Sequence, residues 1–169
     1  PVFSAMKILR QKEPAIGDTH VAHDIGCSTF STQAPFNVGN SVLGYGMGLA
    51  SDSAVAPLFG KRTISVMGDG GFWHNGFTSG IVNAVYNNQD SILVILKNGY
   101  TSATGTQAIP SSPTQPAARP VTLDIERALQ NDFSGNADLA RKQRLAVAHI
   151  HAEASCEAEL DGQESDHGG

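Results

Sequence analysis

The sequence predicts an α/β fold, a parallel sheet with helices on both faces, and two observations carry that expectation. The runs Thr63-Ile64-Ser65-Val66-Met67 and Ser91-Ile92-Leu93-Val94-Ile95-Leu96 are apolar and β-branched, as strands buried on both sides must be. Between them, residues 72–86 place Phe77, Ile81, Ala84 and Val85 at spacings of three and four, the apolar face of one amphipathic helix. Strand, helix, strand in that order is a crossover joining parallel neighbours.

The remaining elements follow in chain order. Residues 1–12 read as a helix with Phe3, Met6 or Lys7, and Arg10 on successive turns and Ile8-Leu9 partly inward. A first short strand ends in Asp24-Ile25-Gly26-Cys27; His20 and His23, three apart, lie on opposite faces of it and read as ordinary polar histidines rather than metal ligands. From residue 37 to 58, Val38, Val42, Tyr45, Leu49 and Ala54 keep helical spacing. Gly39, Gly44, Gly46 and Gly48 each cost a helix about 0.8–1 kcal/mol relative to Ala, so a close approach to the backbone is expected there. Tyr86-Asn87-Asn88-Gln89-Asp90 is a polar turn. Beyond Thr101, Pro110, Pro113, Pro116 and Pro120 mark an extended loop, and Thr122 reads as the N-cap of a helix with Asp124 and Glu126 in its first turn. Residues 137–160 have helical composition. Arg141, Lys142 and Arg144 come early and Glu153, Glu157 and Glu159 late, opposite to what the helix dipole favours, so a frayed helix or disorder is expected. His149, His151, Cys156 and His167 then belong to a solvated tail.

Composition bounds the function classes. A chain of 169 residues, 40% hydrophobic, fits a single core. The longest uncharged stretch, residues 25–51, is broken by Ser, Thr, Gln, Asn, Gly and Pro, which argues against a membrane span. Residues 1–6 lack the charged cap and apolar core of a signal peptide, and a cytoplasmic location is the expectation. A net charge of −5 with no basic stripe argues against nucleic acid as the main partner. Two Cys build no disulfide framework and no Cys-x-x-Cys pair. Between Ile25 and Ala118 only Asp52, Lys61, Arg62, Asp69, Asp90 and Lys97 are charged, whereas residues 119–169 carry fifteen charges. We therefore expect one α/β domain over residues 1–118, its trailing helix at 119–130, and an atypical tail at 131–169.

The chemistry concentrates at two strand ends. Asp69 follows the first buried run within Gly68-Asp69-Gly70-Gly71, and Asn98 follows the second within Lys97-Asn98-Gly99-Tyr100-Thr101. Ligands of open α/β sheets collect at that edge, and glycines let backbone N–H groups approach phosphate oxygens. One carboxylate (Asp69), one amide oxygen (Asn98) and one backbone carbonyl (Tyr100), with phosphate oxygens and water, make the oxygen octahedron Mg²⁺ prefers. The spacing, Gly-Asp-Gly followed by Asn 29 residues after the Asp (98 − 69), resembles the thiamine diphosphate motif.

Four blocks extend that likeness: Asp24-Ile25-Gly26-Cys27, Gly44-Tyr45-Gly46-Met47-Gly48, residues 68–76, and residues 97–107. Together the run from His23 to about Thr114 resembles the thiamine-diphosphate domain of indolepyruvate ferredoxin oxidoreductases of the α-subunit type, as a fragment truncated at its N-terminal side. The resemblance implies Mg²⁺ on Asp69, Asn98 and Tyr100. It implies Gly68, Gly70, Gly71, Thr101 and Ser102 around the phosphates, and Gly26, Cys27, Gly46 and Met47 along the ring end, with Met47 propping the cofactor in its bent form. Cys27 is read as a small buried thiol, since the Cys pair that would join it on an iron–sulfur cluster is not upstream, and clusters are assigned to the parent enzyme alone. The activating Glu is expected on a pyrimidine-type partner domain, so no catalytic residue is assigned here, His74 included, and no turnover is expected from these residues alone. The implied parent reaction is oxidative decarboxylation of an aryl pyruvate, a 2-oxo acid, to its acyl-CoA, with coenzyme A as acceptor and electrons passed to ferredoxin. Such domains bury one face against a partner, so a dimer is expected. The alternatives are a fragment of a non-oxidative thiamine-diphosphate decarboxylase or synthase, and a non-catalytic interaction fragment.

Overall fold

The computed structural model describes residues 1–102, 104–113, 122–133 and 144–149. Helix α1 (Val2–Lys12) and the single turn α2 (Pro14–Gly17) lead into strand β1 (Val21–His23). A 3₁₀ segment (Cys27–Thr32), strand β2 (Ser41–Val42) and helix α3 (Gly48–Phe59) come next, then strand β3 (Thr63–Gly68). One continuous helical run follows: α4 (Asp69–Gly71), a π-helical stretch (Phe72–Ile81) and α5 (Val82–Tyr86). Strand β4 (Ser91–Lys97), the ribbon β5 (Tyr100–Thr101) and β6 (Gln107–Ala108), helix α6 (Ile125–Phe133) and strand β7 (Arg144–His149) complete the described elements.

The main sheet has order β2-β1-β3-β4-β7, every pair parallel. β3 and β4 run in register from Thr63 opposite Ser91 to Gly68 opposite Leu96, with the helical run of residues 69–86 as their crossover. Strand alternation sorts the core. Met67, Leu93 and Ile95 face Leu49, Phe72, Ile81, Ala84, Ile125 and Leu129. On the other side Val66 and Leu96, with Ile64 and Val94, meet Val2, Phe3 and Met6 of α1. Helices therefore cover both faces, as the apolar runs predict. No helix among the described residues is long and apolar enough to cross a membrane.

Several sequence expectations need correction. α1 presents Val2, Phe3 and Met6 to the core, but Ile8 and Leu9 are 50% and 46% exposed, because they lie off the buried stripe. The helix expected over residues 37–58 begins only at Gly48. Asn37, Gly39 and Gly46 take positive φ (52°, 147° and 79°), which no helix accepts, and Ser41–Val42 pairs as β2 instead. α6 is capped by Asp124, whose Oδ1 accepts the Arg127 N–H at 2.8 Å, rather than by Thr122. The frayed helix or disorder expected over residues 131–169 fails at residues 144–149, which form β7 and pair with Ile92–Lys97 of β4. Six residues apolar at their centre suffice for a parallel strand, and they satisfy the open edge of β4, whereas a helix there would be opposed by its dipole. The rest of that expectation, at residues 134–143 and 150–169, and the prolines at 116 and 120 lie outside the described residues.

The crossover winds more widely than the α-helix its spacing predicts. The Val82 N–H donates to the carbonyl of Phe77, five residues back. Phe72, Gly76, Gly80 and Ile81 are buried, at steps of four and five. A Cβ at Gly76 would lie 2.7 Å from the Met67 sulfur, and one at Gly80 3.3 Å from Leu49 Cβ, so glycine lets this stretch press against β3 and α3.

At the end of the sheet away from the loops of residues 68–71 and 98–102, Asp52 is fully buried, its Oδ2 accepting the Thr63 hydroxyl at 2.6 Å while Oδ1 has no partner among the described residues. Burial pushes its carboxyl up to about 6, with the Thr63 bond opposing. A carboxyl raised on folding binds more protons folded than unfolded, so its contribution to stability is greatest below about pH 4 and falls as pH rises through about 6. Asp52→Asn is therefore expected to raise stability at pH 8 by about 1–2 kcal/mol, since a shift of this size is worth roughly 3 kcal/mol before the new amide's own desolvation is counted. The gain should vanish near pH 4, and urea unfolding at the two pH values checks it.

Candidate functional site

The C-terminal edge of the sheet gathers four loops. β3 ends at Gly68, where the chain turns directly into the helical run, and Asp69 occupies its first position with 1% of its surface exposed. Its Oδ2 accepts the N–H groups of Asn98 (3.1 Å) and Gly99 (2.7 Å), and its Oδ1 that of Gly70 (3.0 Å). Burial pushes the Asp69 carboxyl up, and these three donors pull it back. The two loops after β3 and β4 are thus joined through one carboxylate. Asn98 Oδ1 accepts the Tyr100 N–H at 3.2 Å, leaving that oxygen a second lone pair, while its Nδ2 donates to Ser102 Oγ at 3.3 Å. Gly99, at φ 86°, makes the turn between them.

The ring-end residues arrive from β1 and from the turn before α3. Gly26 caps and Cys27 opens the 3₁₀ segment; Cys27 is half-buried and disulfide-bonded rather than the small buried thiol the sequence suggests, and its Sγ lies 3.4 Å from Ser102 Oγ. Gly46 is buried, and a Cβ on it would lie 2.7 Å from the Gly71 carbonyl oxygen and 2.8 Å from both Asn75 Cβ and Gly76 N. The close approach expected at these glycines is thus, in part, an approach of protein to protein. Met47 precedes α3, and its sulfur accepts the Asn75 amide at 3.0 Å. Thr101 Oγ1 is 3.3 Å from the Tyr45 hydroxyl. Gly68 has open space on its Cβ side, whereas Gly70 and Gly71 are crowded by Tyr45 and Asp24.

Three contributors lie in the quoted blocks but receive no role from the sequence. Asp24, fully buried, accepts the N–H groups of Gly46 and Ile25 through Oδ1, while Oδ2 lies against Gly71 with no hydrogen-bond partner among the described residues. Burial pushes its carboxyl up to about 6, against the Gly46, Ile25 and Met47 N–H groups and nearby His74. The available signal was its position, a lone carboxylate ending β1 as Asp69 follows β3. Tyr45 stacks on His74 at 5.0 Å between ring centroids and leans over Gly70. Trp73, four residues beyond Asp69, donates its indole N–H to Ser111 Oγ at 2.9 Å. His20 and His23 make structural contacts: His23 Nε2 lies 2.8 Å from the Val38 carbonyl, and His20 Nε2 lies 3.0 Å from Ser41 Oγ. Burial lowers both imidazoles.

An open parallel sheet whose strand ends carry a carboxylate, an asparagine loop and crowded glycines at one edge defines an α/β ligand-binding domain. Residues 24–160 match the thiamine pyrophosphate enzyme family, C-terminal TPP-binding domain, and the chain belongs to that family. It is 30% identical over 112 residues to an indolepyruvate oxidoreductase subunit IorA of Archaeoglobus fulgidus, covering 66% of this chain and 18% of the relative. It is 33% identical over 90 residues to the subunit of the same name in Methanothermobacter thermautotrophicus, covering 53% of this chain and 14% of the relative. The chain thus spans under a fifth of the length of these two relatives. The 2-oxoglutarate:ferredoxin oxidoreductase of Magnetococcus marinus shares the fold at TM-score 0.57 and 15% identity, covering 87% of this chain and 61% of that one. The benzoylformate decarboxylase of Polynucleobacter necessarius does so at 0.51 and 15%, covering 88% and 33%.

Proposed function

We propose that this chain holds the diphosphate end of thiamine diphosphate and its Mg²⁺ within a 2-oxoacid:ferredoxin oxidoreductase. The observation that carries the reading is the pair of hydrogen bonds from Asn98 and Gly99 to Asp69, which brings together the two ends of the motif. The donor set fits Mg²⁺. Asp69, Asn98 and the Tyr100 carbonyl would hold it as one carboxylate and two neutral oxygens. Asp69 is buried with only N–H groups bonded to it, so a divalent cation would offset the desolvation of its charge. Gly68, Gly70, Gly71, Thr101 and Ser102 would surround the phosphates, and Gly26, Cys27, Gly46 and Met47 would line the ring end.

When bound, thiamine diphosphate supplies the nucleophilic carbon and the electron sink that cleavage beside a 2-oxo group requires. The residues of this chain bind and orient. Asp24 fixes the Gly46 turn through its N–H, and Asn98 fixes the loop that carries Thr101 and Ser102. For the whole enzyme we infer oxidative decarboxylation of an aryl pyruvate, indolepyruvate first, to its acyl-CoA, with electrons passed to ferredoxin through iron–sulfur clusters. The names of the archaeal relatives support this substrate. A pyrimidine-type domain or subunit would close the ring end. Ile25, Phe30 and Leu43, about half exposed beside β1 and β2, supply an apolar rim for it. A dimer and a cytoplasmic location complete the reading.

Trp73 fluorescence tests the binding step. Titration with thiamine diphosphate should give a saturable change that requires Mg²⁺. A folded chain that shows no change with Mg²⁺ present would instead favour the non-catalytic alternative.

A further inference from the structure

We propose that Tyr45 is a diphosphate-binding residue, donating its phenolic hydrogen to the cofactor's phosphates alongside Thr101. The inference rests on the reading above and concerns a residue to which the motif assigns no role. Tyr45 leaves the turn before α3 and crosses to the opposite loops. Its hydroxyl lies 3.3 Å from Thr101 Oγ1 and over Gly70, so close that a Cβ on Gly70 would be 2.3 Å from it. Gly70 and Thr101 belong to the two loops that would enclose the diphosphate, so the hydroxyl stands at their junction. His74 packs on the ring at 5.0 Å and 43° and holds it there.

The charges of the chain explain why a phenol should serve. The only basic residues between Ile25 and Ala118 are Lys61, Arg62 and Lys97. They are engaged with Asp18, Asp90 and Glu126, at 3.8, 2.7 and 3.1 Å. Among the described residues none of the three is bonded at the loops of residues 68–71 and 98–102. Neutral donors are what these loops offer to phosphate charge left over by the metal, and tyrosine supplies one on a rigid ring. Burial pushes the Tyr45 hydroxyl up and the Thr101 hydrogen bond opposes this, with the Asp24 and Asp69 carboxylates adding to the rise.

Tyr45→Phe keeps the ring on His74 and removes only the donor. In the presence of Mg²⁺, it is expected to weaken thiamine diphosphate binding roughly tenfold, the scale of one hydrogen bond to a charged group, while thiamine, which lacks the phosphates, binds as to wild type. Magnesium pyrophosphate, which lacks the rings, should weaken by a similar factor, with an unchanged thermal midpoint showing that the fold is intact. Equal losses for thiamine and thiamine diphosphate, or no loss for either phosphate probe, would overturn the inference alone. A wild-type chain that binds thiamine diphosphate no better than thiamine would overturn the site itself and the inference with it.

Discussion

Asp69→Ala is expected to abolish Mg²⁺-dependent binding of thiamine diphosphate, weakening it more than a hundredfold, and to destabilise the chain by about 3–5 kcal/mol. Both effects come from one carboxylate. Its oxygens accept the N–H groups of Gly70, which is buried, and of Asn98 and Gly99, which are half-buried, and a methyl group would leave all three without that acceptor. Each buried donor left unsatisfied costs about 1–3 kcal/mol, and water entering the gap recovers part of the sum. Losing the anionic metal ligand removes the Mg²⁺ dependence, and the loop that carries Thr101 and Ser102 loses its tether. Asp69→Asn separates the effects. It keeps the shape and one acceptor oxygen but turns an amide N–H₂ toward backbone donors, so binding should fail while more of the stability survives. Calorimetric titration and urea unfolding of the two variants read the two losses independently. Tight Mg²⁺-dependent binding by folded Asp69→Ala would refute the metal assignment.

Gly46→Ala should unfold the chain or come close to it, at a cost of about 3–5 kcal/mol. Two penalties add there. At φ 79° the backbone is in the left-handed region, and a Cβ would meet the Gly71 carbonyl, Asn75 Cβ and the Gly76 N–H, all within 2.8 Å. Two of those three atoms are backbone at the start of the crossover helix, so no rotamer change relieves the clash. The Gly46 N–H is also held by Asp24, so the turn cannot swing outward without stripping a buried carboxylate. Gly60 is the control. It has φ 58° with nothing within 4 Å, so Gly60→Ala carries the conformational cost alone, about 1–2 kcal/mol. Similar thermal midpoints for the two variants would mean that the Gly46 turn yields more easily than its contacts imply.

The legible parts of the fold were those whose local chemistry and tertiary role agree. β3 and β4 appear in the sequence within a residue of their bounds because strands covered on both faces are rich in apolar residues on both, with only Thr63, Ser65 and Ser91 as small polar exceptions before Gly68 and Lys97. Asp69 and Asn98 were legible for a related reason. Each follows such a strand, and topology then brings the two together. The helix expected from residue 37 failed because spacing of apolar residues says nothing about φ, whereas the glycines at 39 and 46 dictated it. β7 failed because its strand character comes from the vacant edge of β4, a partner some fifty residues earlier and invisible to any local window. Tyr45 and Asp24 act through what they touch. A tyrosine in a glycine-rich turn and an aspartate ending a strand are unremarkable until Gly70 and Gly71 are seen against them.

The order of the sheet bears on how the chain is made. β4 is complete once residue 97 has been synthesised, yet its outer neighbour is residues 144–149. Until residues 144–149 are in place, therefore, Ile92-Leu93-Val94-Ile95-Leu96 has one row of backbone groups unpaired and no charge among its side chains to repel a second chain. The binding loops precede β7 and do not need it as a ligand. A chain ending before residue 144 would keep every residue proposed to hold the cofactor and lose its protection against edge-to-edge association, so it would fail by precipitating rather than by releasing thiamine diphosphate.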